Sequence, residues 1–258
     1  MPRFAANLSM MFNEWSFLDR FAAAADAGFK AVEFLFPYDF SPEDVAARLK
    51  AAGLEQALFN LPPGDWAAGE RGIAALPGRQ DEFRASVAKA LDYALATGVR
   101  RLHMMSGLAP SGSSEAGALY REAVRFACAT LAPHGIDIVL EPINRRDMPG
   151  YFLNDFGMAA GIIEELGLPN LKLQYDIYHR QILHGDVIKS LEAMLPIIGH
   201  VQIASVPLRN EPGTGELNDF RIFDELDRLG YAGFVGCEYR PAGATLDGLG
   251  WMKQTTLR

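Results

Sequence analysis

Ile136-Asp137-Ile138-Val139-Leu140-Glu141-Pro142-Ile143 is the stretch on which the fold turns. It is a short apolar run of strand length, and the pattern predicts a strand over 136–143. A helical stretch follows over 154–166, and a second apolar run over 171–177. Two parallel strands need a crossover of this length, and such crossovers are helices. The same unit recurs in both directions. Toward the N-terminus, strands are expected over 3–9, 31–36, 56–61 and 101–106, with helices over 17–27, 41–53, 81–97 and 115–132. Toward the C-terminus, strands are expected over 200–205 and 234–239, with helices over 186–195 and 220–229 and a short last one near 245–253. Ser41-Pro42-Glu43-Asp44 is a helix start, and Gly28, Gly53 and Gly98 are helix stops.

Eight strand–helix units in one run predict a single α/β domain over 1–258, a closed (β/α)8 TIM barrel. An open doubly wound sheet would use fewer units and a Gly-rich first turn, and Asn7-Leu8-Ser9-Met10 is no phosphate-binding fingerprint. One connection breaks the short-loop pattern. The segment 62–79 is long, polar and Gly-rich, as lids and binding loops often are.

Composition narrows the function. The 258 residues are 49% hydrophobic and 22% charged, enough apolar material for a large core. The formal charge of −8 opposes general nucleic-acid binding, which needs a basic footprint. Two cysteines, Cys128 and Cys237, make no disulfide framework. No apolar run is long enough to span a bilayer, and the N-terminus lacks a signal-peptide core. A cytoplasmic protein without membrane or nucleic-acid partners is expected, and a homo-oligomer is in keeping with the habits of barrels.

In a barrel the chemistry sits at the carboxyl ends of the strands. The last four strands carry Glu141, Asp176, Gln202 and Glu238, each in or at the end of an apolar run and about one βα unit apart. Four neighbouring strands thus present one oxygen ligand each to the same end. Three carboxylates are costly to bury together unless a cation joins them. An all-oxygen set suits Mg²⁺, or Mn²⁺, rather than zinc. The alternative is pairing with Arg or Lys, for which the nearest candidate in sequence is Arg240, beside Glu238. His179, just past the sixth strand, could ligate the metal, donate to a substrate oxygen or cap a helix. His103, on the fourth strand, could line the site. His200 shares the strand parity of Gln202 and reads as a core histidine one layer deeper.

At these residues the chain resembles the hydroxypyruvate isomerase family, within the xylose-isomerase-like barrels. The resemblance spans nearly the whole chain. It is carried by 4–10, by Pro63-Gly64-Asp65-Trp66 and on to Gly72, by Glu141-Pro142-Ile143-Asn144, by Gln174-Tyr175-Asp176-Ile177-Tyr178-His179, by 211–216, and by Gly236-Cys237-Glu238-Tyr239. It implies that Glu141, Asp176, Gln202 and Glu238 hold the divalent ion and that Glu141 and Glu238 are the acid/base pair. It also implies that His179 touches substrate. The implied reaction interconverts hydroxypyruvate and tartronate semialdehyde through an enediolate. A small hydroxy-oxo acid carries a carboxylate of its own, which needs an Arg or Lys. Arg71 in the long loop and Arg209 after the seventh strand are the candidates, with Glu70 beside Arg71 as a further substrate-binding residue. Rival readings are 2-oxo-tetronate isomerisation, ketose 3-epimerisation with the same metal and glutamates, an abasic-site endonuclease, and a non-catalytic sugar-acid binding protein.

Overall fold

The structure, a computed structural model, describes residues 2–256 and the side chains of residues 2–253. Eight strands run β1 (Arg3–Asn7), β2 (Ala31–Glu33), β3 (Glu55–Asn60), β4 (Arg101–His103), β5 (Asp137–Leu140), β6 (Leu171–Asp176), β7 (Ile198–Gln202) and β8 (Phe234–Cys237). All neighbours are parallel and follow chain order, and β8 pairs back onto β1, so the barrel is closed. The connecting helices are α1 (Arg20–Asp26), α2 (Pro42–Ala52), α3 (Gln80–Thr97), α4 (Ser114–Leu131), α5 (Phe156–Leu166), α6 (Ile177–Leu183), α7 (Val187–Met194) and α8 (Asp219–Arg228), with α9 (Gly250–Thr256) closing the chain. Among the described residues, no helix is long and apolar enough to cross a membrane.

Local chemistry accounts for the helix ends. The Ser41 hydroxyl accepts from the Asp44 N–H at 3.1 Å, Pro42 opens α2, and Gly53 ends it in the left-handed region at φ +64°. Ser113 and Asp155 cap α4 and α5 in the same way. The strands are shorter than the apolar runs that announce them. Met104, Met105 and Ser106 leave the ladder after His103 yet stay buried in the barrel rim. Apolarity reports burial there, beyond the last strand residue of β4. For the same reason the run over 171–177 hides the start of α6, a helix absent from the periodicity reading.

The main core lies between barrel and helices, where Val32, Phe59, Leu102, Val124, Leu140 and Leu173 belong to one cluster. Cys128 and Cys237 are buried free thiols within it. Inside the barrel, Ala5, Ala31, Ala57 and Phe234 form a small separate layer. Polar side chains fill the next layer toward the carboxyl ends: Asn7, Glu33, Gln174, His200 and Gln202, all buried. Gly236 makes room for it, because a Cβ at that position would collide with the Glu33 carboxylate.

Candidate active site

Glu141 follows β5, Asp176 ends β6, His179 sits in the first turn of α6, and Glu238 follows β8. One ligand atom from each lies within 4.8 Å of the others, and all four residues are buried. Asp176 has two tasks. Its Oδ1 accepts from the Tyr178 N–H at 2.7 Å and caps α6, while Oδ2 has no hydrogen-bond partner. Glu141 Oε1 is likewise unpartnered.

His179 is therefore not the helix cap, and its tautomer is fixed from outside. Its Nδ1 faces the Asn144 backbone N–H at 3.4 Å and the Asn144 Nδ2 at 2.7 Å. The Asn144 amide is itself oriented, since its Oδ1 accepts from the Asp147 N–H. Two donors converge on Nδ1, so Nδ1 accepts and the ring proton sits on Nε2. That N–H is 3.6 Å from Asp176 Oδ2 and 3.8 Å from Glu141 Oε1. The geometry makes His179 a neutral donor into the site rather than a ligand through Nε2. Burial, then the nearby Arg209, His103 and Arg146, hold its pKa well below the usual histidine range.

Arg209 supplies a cation that strand-end reading did not place. The expectation that Arg240 is the nearest basic partner of the carboxylates needs correcting: the guanidinium of Arg209 bonds Glu238 and lies 3.6 Å from Asp176 Oδ2. It also stacks 4.8 Å from the centre of the Tyr178 ring. The reason is backbone folding in the loop after β7. The Arg209 N–H donates to the Ser205 carbonyl, its carbonyl accepts from Arg240, and φ is +60°, left-handed and strained for a residue with a Cβ. One guanidinium does not balance three carboxylates. Burial, the charge of Glu238 and that of Asp176 push Glu141 well above the carboxylate range. Burial lifts Glu238 to about 8 and Asp176 to about 6, although Arg209 opposes both shifts.

The remaining expected residues divide. His103 is buried with Nδ1 3.5 Å from Glu141 Oε2 and Nε2 unpartnered, and burial lowers its pKa to about 3. Arg71 lines the cavity over the ring of Trp66, 3.9 Å from its centre. Glu70 is turned to Arg79, which holds both of its oxygens at 2.5 and 3.1 Å. The Gln202 amide is engaged within the barrel, accepting from Gln174 at 2.6 Å and donating to Glu33 at 2.8 Å. Together His103, Glu141, His179, Arg209 and Glu238 line a cavity of about 490 Å³. The segment 62–79 is anchored: Gly72 bridges to Ser106, and the Ala75 N–H donates to the Ser106 carbonyl. Its exposed tip brings Trp66 to the cavity edge.

Sequence reading missed Glu33 and Asn144. Glu33 carries the signal used on the later strands, a carboxylate in an apolar run, here Ala31-Val32-Glu33-Phe34. Asn144 carries no signal beyond its place after β5, because its role is to orient another side chain.

A closed parallel barrel that gathers buried carboxylates at the carboxyl ends of β5, β6 and β8 belongs to the barrel enzymes that work from that face. The chain is a member of the xylose isomerase-like TIM barrel family, whose pattern matches residues 21–255. It is 56% identical to the 2-oxo-tetronate isomerase of Cupriavidus necator over 98% of each chain. It is 46% identical to the hydroxypyruvate isomerase of Escherichia coli, again over 98% of each. A crystal structure from Brucella melitensis, named AP endonuclease, family 2, superposes with a TM-score of 0.96 at 52% identity, covering 98% of this chain and 99% of that one. With isomerases this similar along its full length, the chain is itself an isomerase.

Proposed function

We propose that this chain isomerises a small hydroxy-oxo acid, interconverting hydroxypyruvate and tartronate semialdehyde by moving a proton between adjacent carbons. The observation that carries the reading is the pair Glu141 and Glu238, buried together in one cluster with both pKa values raised above the usual carboxylate range. The residues also fit a hard divalent cation, Mg²⁺ or Mn²⁺. Glu141 Oε1 and Asp176 Oδ2 are buried oxygens without partners, facing a third carboxylate. Glu141, Asp176, Glu238 and the Gln202 carbonyl would hold it. When bound, such an ion supplies the positive charge that stabilises an enediolate.

The protein's own groups do the rest. One glutamate takes the proton from C3, the hydroxyl proton passes from the C3 oxygen to the C2 oxygen within the enediolate, and the other glutamate delivers a proton to C2. The His179 Nε2–H donates to a substrate oxygen. Arg209, once the carboxylates have another cation, is free to meet the substrate carboxylate. A second reading, isomerisation of 2-oxo-tetronate, is favoured by the higher identity to the Cupriavidus relative. It uses the same residues on a four-carbon acid. The name of the Brucella barrel would suggest DNA, but a net charge of −8 opposes that partner.

Proton NMR of the metal-loaded protein in D₂O with each acid in turn tests both readings. Conversion of hydroxypyruvate, lost on chelation and restored by Mg²⁺, is the expected result. Faster conversion of 2-oxo-tetronate makes the four-carbon acid the substrate. No conversion of either acid overturns the proposal.

A further inference from the structure

Beneath the carboxylate cluster lies a chain of hydrogen bonds whose directions are forced one after another. The Ser9 backbone N–H can only donate, and it lies 3.1 Å from Asn7 Oδ1. The Asn7 amide is thereby fixed with Nδ2 toward Glu33 Oε1 at 3.0 Å. Glu33 Oε1 is an acceptor there, so the Gln202 amide must turn its NH₂ to that same oxygen, at 2.8 Å. The Gln202 carbonyl is left facing away from Glu33, toward β6, where it accepts from Gln174 at 2.6 Å. Glu33 Oε2 is held by His200 Nε2 at 2.6 Å. Glu33 is fully buried and reaches from β2 across the barrel to β7 through the space that Gly236 leaves open. In the strand register Gln202 is level with Asp176.

We infer that Glu33 is a positioning residue: by taking the NH₂ of Gln202 it commits the Gln202 carbonyl oxygen to the side of the barrel where Asp176 and Glu141 wait for a cation. The inference rests on the metal reading above and deepens it. An amide has two orientations of nearly equal shape and opposite chemistry, and only the carbonyl end ligates a metal. A neutral glutamine at position 33 has an NH₂ of its own to offer, so the Gln202 amide would be free to reverse.

The test is Mn²⁺ binding, followed through the electron paramagnetic resonance signal of free Mn²⁺. It is run on wild type, Glu33→Gln, Gln202→Ala and the double variant, each first checked by thermal melting. Partners that orient ligands are generally worth 10–100-fold in affinity, and Glu33→Gln is expected to weaken Mn²⁺ by about that factor. On the Gln202→Ala background it is expected to add nothing. Unchanged affinity in Glu33→Gln, or the same loss on both backgrounds, overturns the inference and leaves the metal reading standing. No Mn²⁺ uptake by wild type removes both. If Glu33→Gln does not fold, the wild-type protein carries the test with ¹³C,¹⁵N-labelled glutamine, the Gln202 signals being those lost in Gln202→Ala. The side-chain carbonyl of Gln202 is expected to shift on Mg²⁺ titration while its NH₂ protons stay protected from exchange. A stationary carbonyl overturns the inference.

Discussion

Glu33 on β2 and Glu141 after β5 are both buried glutamates in one barrel, and they have opposite surroundings. Glu33 faces three side-chain nitrogens from Asn7, Gln202 and His200. Glu141 leaves Oε1 without a partner, faces two other carboxylates and has its pKa raised well above the usual range. The contrast extends to the two halves of the barrel. Toward the carboxyl ends, β1, β2 and β4 contribute partnered or neutral groups, Asn7, Glu33 and His103, the last held uncharged by burial. β5–β8 and their rim contribute the charge: Glu141, Asp176, Glu238 and the opposing Arg209. A buried carboxylate supplied with donors holds structure in place. One deprived of them is poised for a cation or a proton.

The most severe way to break the contrast is to neutralise its charged half. Glu141→Gln or Glu238→Gln keeps shape and removes a proton acceptor, and general acid–base groups are worth roughly 10²–10⁴ in rate. A loss of turnover of about 10³-fold or more is expected in each, measured at saturating Mg²⁺ with the fold checked by melting. Near-full turnover in either would sink the two-glutamate scheme. Arg209→Met comes next. Removing one partner of a buried ion pair costs about 3–5 kcal/mol, and a loss near the lower figure is expected in chelated protein by urea unfolding. Saturating Mg²⁺ is expected to recover much of it, because the carboxylates then have another cation. An equal loss with and without Mg²⁺ would show that Arg209 is not a counter-ion to the cluster.

Proton and metal compete for the same oxygens, which gives a third, smaller effect. Glu238 has a folded-state pKa of about 8 against an ordinary 4.5. Between those values the folded chain holds a proton that the unfolded chain has released, so stability of the metal-free protein falls as pH rises through that window. Asp176, raised to about 6, adds in the same direction over the lower part of the window. Metal at 100 times its dissociation constant stabilises by about 2.7 kcal/mol. The rise in melting temperature on adding Mg²⁺ is expected to be larger at pH 8 than at pH 5.5. A rise independent of pH would place the ion away from these carboxylates.

Much of this arrangement was legible in the chain. The closed barrel followed from counting apolar runs, and Glu141, Asp176 and Glu238 stood out as charges where strand residues are otherwise apolar. What periodicity could not supply was direction. Arg209 lies on no strand and reaches the cluster only because its loop folds back over the rim. Asn144 acts by orienting another side chain, and no spacing rule marks a residue for that, whereas Glu33 carries the same mark as the later glutamates, a carboxylate in an apolar run. Glu70 neighbours Arg71 in sequence, whereas in space Arg79 holds it.

His103 sharpens the comparison at its boundary, because it sits on the neutral half but touches the charged one. Its Nδ1 is 3.5 Å from Glu141 Oε2, its Nε2 is buried without a partner, and the residue lines the cavity. Burial first, and the neighbouring His200 second, lower its pKa to about 3, so it stays uncharged at any working pH. A neutral ring in that position acts as a hydrogen-bonding group rather than as a proton-transfer group. His103→Asn keeps a polar, uncharged side chain there, and the loss of one hydrogen bond at neutral strength, about 1.4 kcal/mol, corresponds to roughly tenfold in kcat/KM. The deciding readout is the pH profile. It is expected to keep both limbs where wild type has them, since the titrating groups are Glu141 and Glu238. A limb that disappears in His103→Asn would make His103 a proton carrier and move the border of the charged half to β4.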